Sequence, residues 1–268
     1  MVTSRGSRIA LRVATAITLA FIYIPLGIVV LYAFNGDALV RWPIGSLTLD
    51  WVGRALGDRG VRNALVASLQ AAVGATAVAL VLGSLLAFAV HRFRFFGREA
   101  LSFAVILPLA LPGIVTGIAL NTAFRTLGID LGLLTVIVGH ATFCIVVIYN
   151  NVIARLRRSS RSIEEASMDL GADTWQTFRH VTFPTIRTAF VAGGLLAFAL
   201  SFDEVIVTTF TAGAGTQTLP IWIFSNYQRP NQLPLVNVAA LLVLLLSIIP
   251  VYLAQRLSSE REVAGSRV

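Results

Sequence analysis

Six apolar runs, each long enough to cross a bilayer, constrain this chain more than any other feature. They lie near residues 10–34, 64–90, 101–124, 133–154, 187–210 and 235–255. A helix needs roughly 20 residues to span the hydrocarbon core. In lipid every backbone N–H and C=O must find its partner inside the protein, so repeated single runs of this length imply helices. The expected class is all-α and polytopic, with six transmembrane helices in one domain over residues 1–268 and a polar loop at 155–186. Composition agrees, with 56% of the 268 residues hydrophobic and 13% charged, against about 25% charged in an ordinary soluble domain. The first run follows Arg5, Arg8 and Arg12. It is longer than a signal-peptide core and no small-x-small cleavage pattern follows, so an uncleaved first span is expected.

Charge orients the spans. All 21 basic residues are arginine. With the N-terminus in the cytoplasm, the inner segments hold Arg5, Arg8, Arg12, Arg92, Arg94, Arg98, Arg155, Arg157, Arg158, Arg161, Arg179, Arg187, Arg256, Arg261 and Arg267. The outer segments hold Arg41, Arg54, Arg59, Arg62, Arg125 and Arg229. That bias places both termini and the 155–186 loop in the cytoplasm. The same asymmetry accounts for the net charge of +8 without nucleic acid as a partner. A P-loop needs a lysine for the phosphates. With none in the sequence, this chain is expected to bind no ATP and no other cofactor. Cys144 excludes an internal disulfide and reads as a small buried hydrophobe. His91, His140 and His180 stand on separate segments, and no metal site is expected from them. No catalytic cluster is evident, and an enzyme is not expected.

Two proline-bearing stretches stand out. In "LPLALPGIVTGIAL" the third span carries Pro108 and Pro112, which bend or break a helix. Gly113 and Gly117 follow at a spacing that lets helices approach closely. This reads equally as a kinked packing helix or as one lining a pathway. The second stretch is the polar island "SIEEASMDLGADTWQTFRHVTFPTI". Ser162 with Glu165 forms a capping-box pattern. A short helix is expected to Leu170, with Ile163, Ala166 and Leu170 on one face, and Gly171 as its left-handed stop. Asp173 with Gln176 opens a second helix, striped by Trp175, Phe178 and Val181, and Pro184 marks a bend into the fifth span. Glu164, Glu165 and Asp169 make the first helix acidic, which suits a protein partner better than a membrane surface.

These residues carry a resemblance. Glu165-Ala166-Ser167, three residues, Gly171, nine residues, Val181, one residue and Phe183-Pro184 resemble the EAA loop of ABC importer permeases, whose pattern is E-A-A-x3-G-x9-I-x-L-P. Ser167, Val181 and Phe183 are mild departures. The likeness runs from the first span to about Arg256. "SFDEVIVTTF" and "TLPIWIFSNY" resemble the polyamine subgroup, the second permease subunit of spermidine/putrescine importers. Permeases for 2-aminoethylphosphonate, other organic amines and ferric iron share much of it. The resemblance implies the type I importer permease fold in the bacterial inner membrane. It implies ATP-binding cassette subunits holding ATP and magnesium, a second permease subunit, and an external substrate-binding protein. It also implies that Glu164, Glu165, Ala166, Ser167, Asp169, Gly171, Ala172 and Pro184 form the ATPase-coupling contact.

Asp203 and Glu204 are adjacent acids in an otherwise apolar span. An acid at a span centre costs about 2.5–3.5 kcal/mol on insertion scales. Counted from Arg187 at about 1.5 Å per residue, the pair lies about 24 Å along the helix, near the outer interface. Such acids usually face a cavity or a partner. Ser201, Glu204, Thr208 and Thr211 share one face at helical spacing. That stripe, with the faces of Trp222 and Tyr227, is the expected path for a cationic substrate. The alternative is that the acids pair with an arginine such as Arg125 or with the partner subunit. An ion-coupled carrier working alone is the rival class. It predicts an inverted repeat, which the sequence does not display, and it leaves the EAA-like loop unexplained.

Overall fold

The computed structural model describes residues 5–38 and 41–265. Twelve α-helices run through the described residues: α1 Arg5–Ala33, α2 Asp50–Gly57, α3 Arg59–Arg92, α4 Arg98–Ala110, α5 Gly113–Thr126, α6 Leu133–Arg158, α7 Arg161–Asp169, α8 Thr174–Thr177, α9 Phe183–Phe202, α10 Ile206–Thr211, α11 Leu219–Asn226 and α12 Leu233–Gly265. Extended pairing among them is limited to one isolated bridge, Asn35 with Leu47. Among the described residues five helical stretches are long and apolar enough to cross a membrane, and α4 with α5, bent by 106°, meets the same test only as a pair.

The chain divides into two compact units. The first comprises the described residues of Met1–Arg62 together with Trp222–Leu244. Its α1 is apolar around its whole circumference and solvent-facing nearly throughout, with Phe21 81% exposed. A helix apolar on every side belongs in lipid or against another protein. After it the chain turns back through the Asn35–Leu47 bridge, and the Trp51 indole N–H donates to the Asn35 carbonyl at 2.9 Å. The Arg54 guanidinium stacks over the Trp51 ring at 4.6 Å. Asp58 Oδ1 accepts from the Val61 N–H at 2.9 Å and so caps α3.

The second unit comprises Asn63–Ile221 and the described residues of Leu245–Val268. Helix α6 is its axis. Ala75, Ala79, Ala87 and Val90 of α3 bury against Cys144, Ile148, Tyr149 and Val152 of α6, with Ile186 and Ala197 of α9 completing the core. Without a solvent-driven force between helices in lipid, close backbone approach and packing hold such a bundle together. Gly83 is one close approach: a Cβ built there would lie 2.9 Å from both the Ile145 carbonyl oxygen and the Ile148 Cβ. Replacing Gly83 by leucine overpacks this seam at a cost of about 1–3 kcal/mol. The variant is expected to accumulate less in the membrane and to melt earlier in detergent. Gly53→Ala, where nothing lies within 4 Å, is the matched control.

The proline-bearing third span takes one of its two expected forms, and the fifth departs from the sequence expectation. The third is broken at Leu111–Pro112, and its halves α4 and α5 meet at 106°. Pro108 is carried inside α4 without ending it, so the two prolines do different things. Pro112 stops the helix because Leu111 before it is pushed to the extended region, with ψ 142°. The fifth span was expected as one helix over 187–210 with a proline bend separating it from a short helix. Instead α8 runs through a π-helical turn, Phe178–Thr182, directly into α9, making one stretch Thr174–Phe202. The Phe183 N–H bonds to the Phe178 carbonyl, five residues back. That wider turn lets the helix run on past Pro184, which has no N–H to give. The helix then ends at Asp203, and α10 begins only at Ile206.

Candidate functional site

The polar island folds as a capped helix, a glycine turn and a second helix fused to the fifth span. Helix α7 starts at Arg161, with Ser160 as its cap. The Ser160 hydroxyl accepts from the Ser162 N–H at 3.3 Å and sits 2.6 Å from the Ser162 hydroxyl. The Ser162/Glu165 capping box is therefore corrected. Ser160 has the extended backbone a cap needs, φ −75° and ψ 129°, and the third helical residue is then Ile163, which cannot reciprocate.

The end of α7 follows the expectation in detail. Gly171 has φ +91°. Its N–H bonds to the Met168 carbonyl at 2.9 Å, and the Ala172 N–H bonds to the Ser167 carbonyl at 3.2 Å. Those two bonds are the Schellman pair, which requires a left-handed residue between them. Asp173 then opens α8: its Oδ1 accepts from the Gln176 N–H at 2.7 Å, while Gln176 Oε1 accepts from the Asp173 N–H at 3.0 Å. Both acceptors sit three residues apart, so this box was legible from sequence spacing.

Glu164 ties the module to its own subunit. Its Oε1 accepts from the Thr182 hydroxyl at 2.6 Å, in the π turn below α9. Its Oε2 lies 3.2 Å from Arg92 Nη1, at the end of α3. The Ser167 and Thr177 hydroxyls meet at 3.2 Å across the turn. Trp175 stacks on Phe178, ring centroids 5.6 Å apart, and Phe178 meets Phe88 of α3 edge-on at 5.7 Å. The outward face stays apolar: Ile163, Ala166, Met168, Leu170 and Trp175 are all exposed, Leu170 to 90%. Glu165 and Asp169 are exposed on the same helix, and Ala172 and Pro184 are half-buried. A capped acidic helix showing this much apolar surface presents an interaction face.

The acid pair stands at the break between α9 and α10. Asp203 is the exposed C-cap of α9. Glu204 is half-buried and its Oε1 accepts from the Val207 N–H at 2.9 Å, capping α10. Arg125 donates instead to Asn121 Oδ1 at 3.0 Å. The expected continuous face of Ser201, Glu204, Thr208 and Thr211 does not exist as such, because residues 203–205 leave the helix. Ser201, Thr208 and Thr211 are buried rather than open to a path. Both Ser201 and Thr208 converge on His140, a residue that sequence reasoning set aside. Its one signal is that it is the sole ring nitrogen within the apolar run 133–154. Trp222 is buried and Tyr227 exposed, both in the first unit. The Gly113 and Gly117 spacing serves packing against α10: a Cβ on Gly117 would sit 2.6 Å from Phe210.

Apolar spans around a packed axis, one of them fused to a capped polar module, are the frame of a multi-pass membrane protein. The chain belongs to the family of binding-protein-dependent transport system inner membrane components, whose family model matches residues 79–262. It is 36% identical over 252 residues to the putrescine transport system permease protein PotI of Escherichia coli (strain K12), covering 90% of this chain and 89% of the relative. It is 32% identical over 237 residues to the spermidine/putrescine transport system permease protein PotC of Haemophilus influenzae, covering 88% and 91%. Its fold matches a bacterial ABC transporter involved in the import of the acidic polysaccharide alginate, with a TM-score of 0.70 at 19% identity, over 97% of this chain and 99% of that one. The chain is thus an all-α permease subunit of an ABC importer.

Proposed function

We propose that this chain forms part of the translocation path of an ATP-driven importer for polyamines such as putrescine and spermidine. The observation that carries the reading is near full-length likeness to two polyamine permeases. The exposed carboxylate of Asp203 adds a group of the right sign for a polycation. ATP-binding cassette subunits bind the outward face of α7 and α8 from the cytoplasm, where both termini also lie. A second permease subunit completes the path, and an external binding protein delivers the substrate.

The mechanism is alternating access. ATP binds one state of the cassette pair more tightly than the other, and that difference does the conformational work. Closure of the cassettes displaces the α7–α8 module. Because α8 is helically continuous with α9 through residue 202, the displacement passes into the fifth span without a flexible joint. The Glu164 contacts pass it also to the end of α3. This chain supplies path and lever, and the hydrolysis takes place in its partners.

The test is uptake of labelled putrescine by proteoliposomes holding the chain with its cassette subunits, second permease and binding protein. ATP-dependent, binding-protein-dependent uptake, suppressed by excess spermidine, is expected. Uptake that needs no ATP, by the chain purified without a cassette subunit, overturns the importer mechanism. Transport of another amine or of 2-aminoethylphosphonate in place of putrescine overturns the substrate.

A further inference from the structure

A single buried ring joins the two halves of the broken fifth span. His140, on α6, has 0% of its surface exposed. Its Nδ1 lies 2.8 Å from Ser201 Oγ, in the last turn of α9. Its Nε2 lies 2.8 Å from Thr208 Oγ1, in α10. A neutral imidazole offers one donor and one acceptor, so one ring nitrogen donates and the other accepts. Thr208 Oγ1 also lies 2.8 Å from the Glu204 carbonyl. The result is a polar chain from Ser201 through His140 and Thr208 to the Glu204 carbonyl. It begins before the break and ends inside it.

A helix that breaks inside a membrane must rehouse the backbone groups it frees. Here the Glu204 carbonyl goes to Thr208 and the Val207 N–H goes to the Glu204 carboxylate. The far end of α10 is fastened separately. Thr135 donates to the Thr211 carbonyl at 2.7 Å, and Asn121 to the Phe210 carbonyl at 2.5 Å. His140 is the link in this set that holds α9 and α10 to the same point on α6.

We propose that His140 is a positioning residue for transport: through Ser201 and Thr208 it keeps residues 203–205 out of the helix and fixes where the acid pair stands. The inference rests on the transport role of the chain and not on which substrate it carries. A polar ring kept only to fill space would be replaceable by leucine of similar bulk. A ring kept for its donor and acceptor is replaceable only by a group offering both, and glutamine offers both.

The experiment measures maximal uptake rate and the half-saturating concentration of loaded binding protein in the reconstituted assembly. His140→Leu and Thr208→Val are expected to lower the maximal rate about tenfold, with half-saturation changed less than about twofold, the pattern of a lost step after binding. His140→Gln and Thr208→Ser restore the donor and acceptor, and are expected to recover at least about half the rate. A wild-type rate in both apolar variants overturns the proposal, as does failure of both polar variants to recover. If His140→Leu does not assemble, Thr208→Val decides alone, since it exchanges one hydroxyl for one methyl. Absence of putrescine uptake by the wild-type assembly sinks the polyamine reading only. The variants are then scored on ATP hydrolysis stimulated by the assembly's binding protein, which His140→Leu lowers by a similar factor.

Discussion

Gly171→Ile is expected to abolish ATP-driven uptake, at least about tenfold, while the chain still reaches the membrane. The cause is the backbone. Gly171 sits at φ +91°, and nothing lies within 4 Å of where its Cβ would be. No clash with a neighbour enters. A β-branched residue held at positive φ costs about 1–3 kcal/mol, so the turn relaxes to another conformation. The Schellman bonds from Gly171 to Met168 and from Ala172 to Ser167 depend on that conformation and are lost with it. Helix α7 then frays at the end next to α8, and the angle between them is no longer fixed. The hydrophobic core of the fifth span, from Ile186 onward, lies beyond the turn and keeps its packing. The expected signature is continued ATP hydrolysis by the assembly with little substrate moved per ATP. Gly171→Asn is the graded control, since asparagine tolerates the left-handed region, and it should keep most of the uptake. Normal coupling in Gly171→Ile would falsify the lever.

What could be read in advance divides along a physical line. Local, short-range devices were legible. The Asp173/Gln176 box and the Gly171 stop depend on residues three to five apart, and both stand where their spacing put them. Ser160 was missed because several serines compete at 159–162, and only the fold shows that Ser159 closes α6 while Ser160 caps α7. The break at 203–205 was illegible for a deeper reason. No glycine or proline occurs from residue 195 to 211, and Ser201, Glu204, Thr208 and Thr211 fit an unbroken helix perfectly well. The Glu204 carboxylate on the Val207 N–H is local, but the same spacing also fits an unbroken helix. The rest is tertiary: a histidine from α6 bonded on both sides of the break, and α5 packed along α10 through Gly113 and Gly117. The third span shows the mixed case. Either proline was competent to break it, and only the fold shows that Pro112 does while Pro108 is absorbed.

Neutralising the acid pair, Asp203→Asn with Glu204→Gln, is expected to cut polyamine uptake by at least about tenfold, with assembly and basal ATP hydrolysis retained. The structure separates the two acids. Glutamine at 204 still offers an oxygen to the Val207 N–H, so the cap on α10 survives and only about 0.3–1 kcal/mol of charge–dipole attraction is lost. Asp203 bears no such duty, being the exposed residue at the end of α9. The single change Asp203→Asn should therefore carry most of the loss in uptake and little of any loss in stability, and Glu204→Gln the reverse. The rival explanation, an ion pair with Arg125, predicts a different outcome. Arg125 already bonds to Asn121, on its own helix. Removing the acids thus leaves no arginine stranded, and no stability penalty of that kind should appear. Uptake is measured against putrescine concentration with saturating binding protein, and stability by melting in detergent. A double variant that transports normally removes the acids from the path. One that loses uptake and melting temperature together makes them structural.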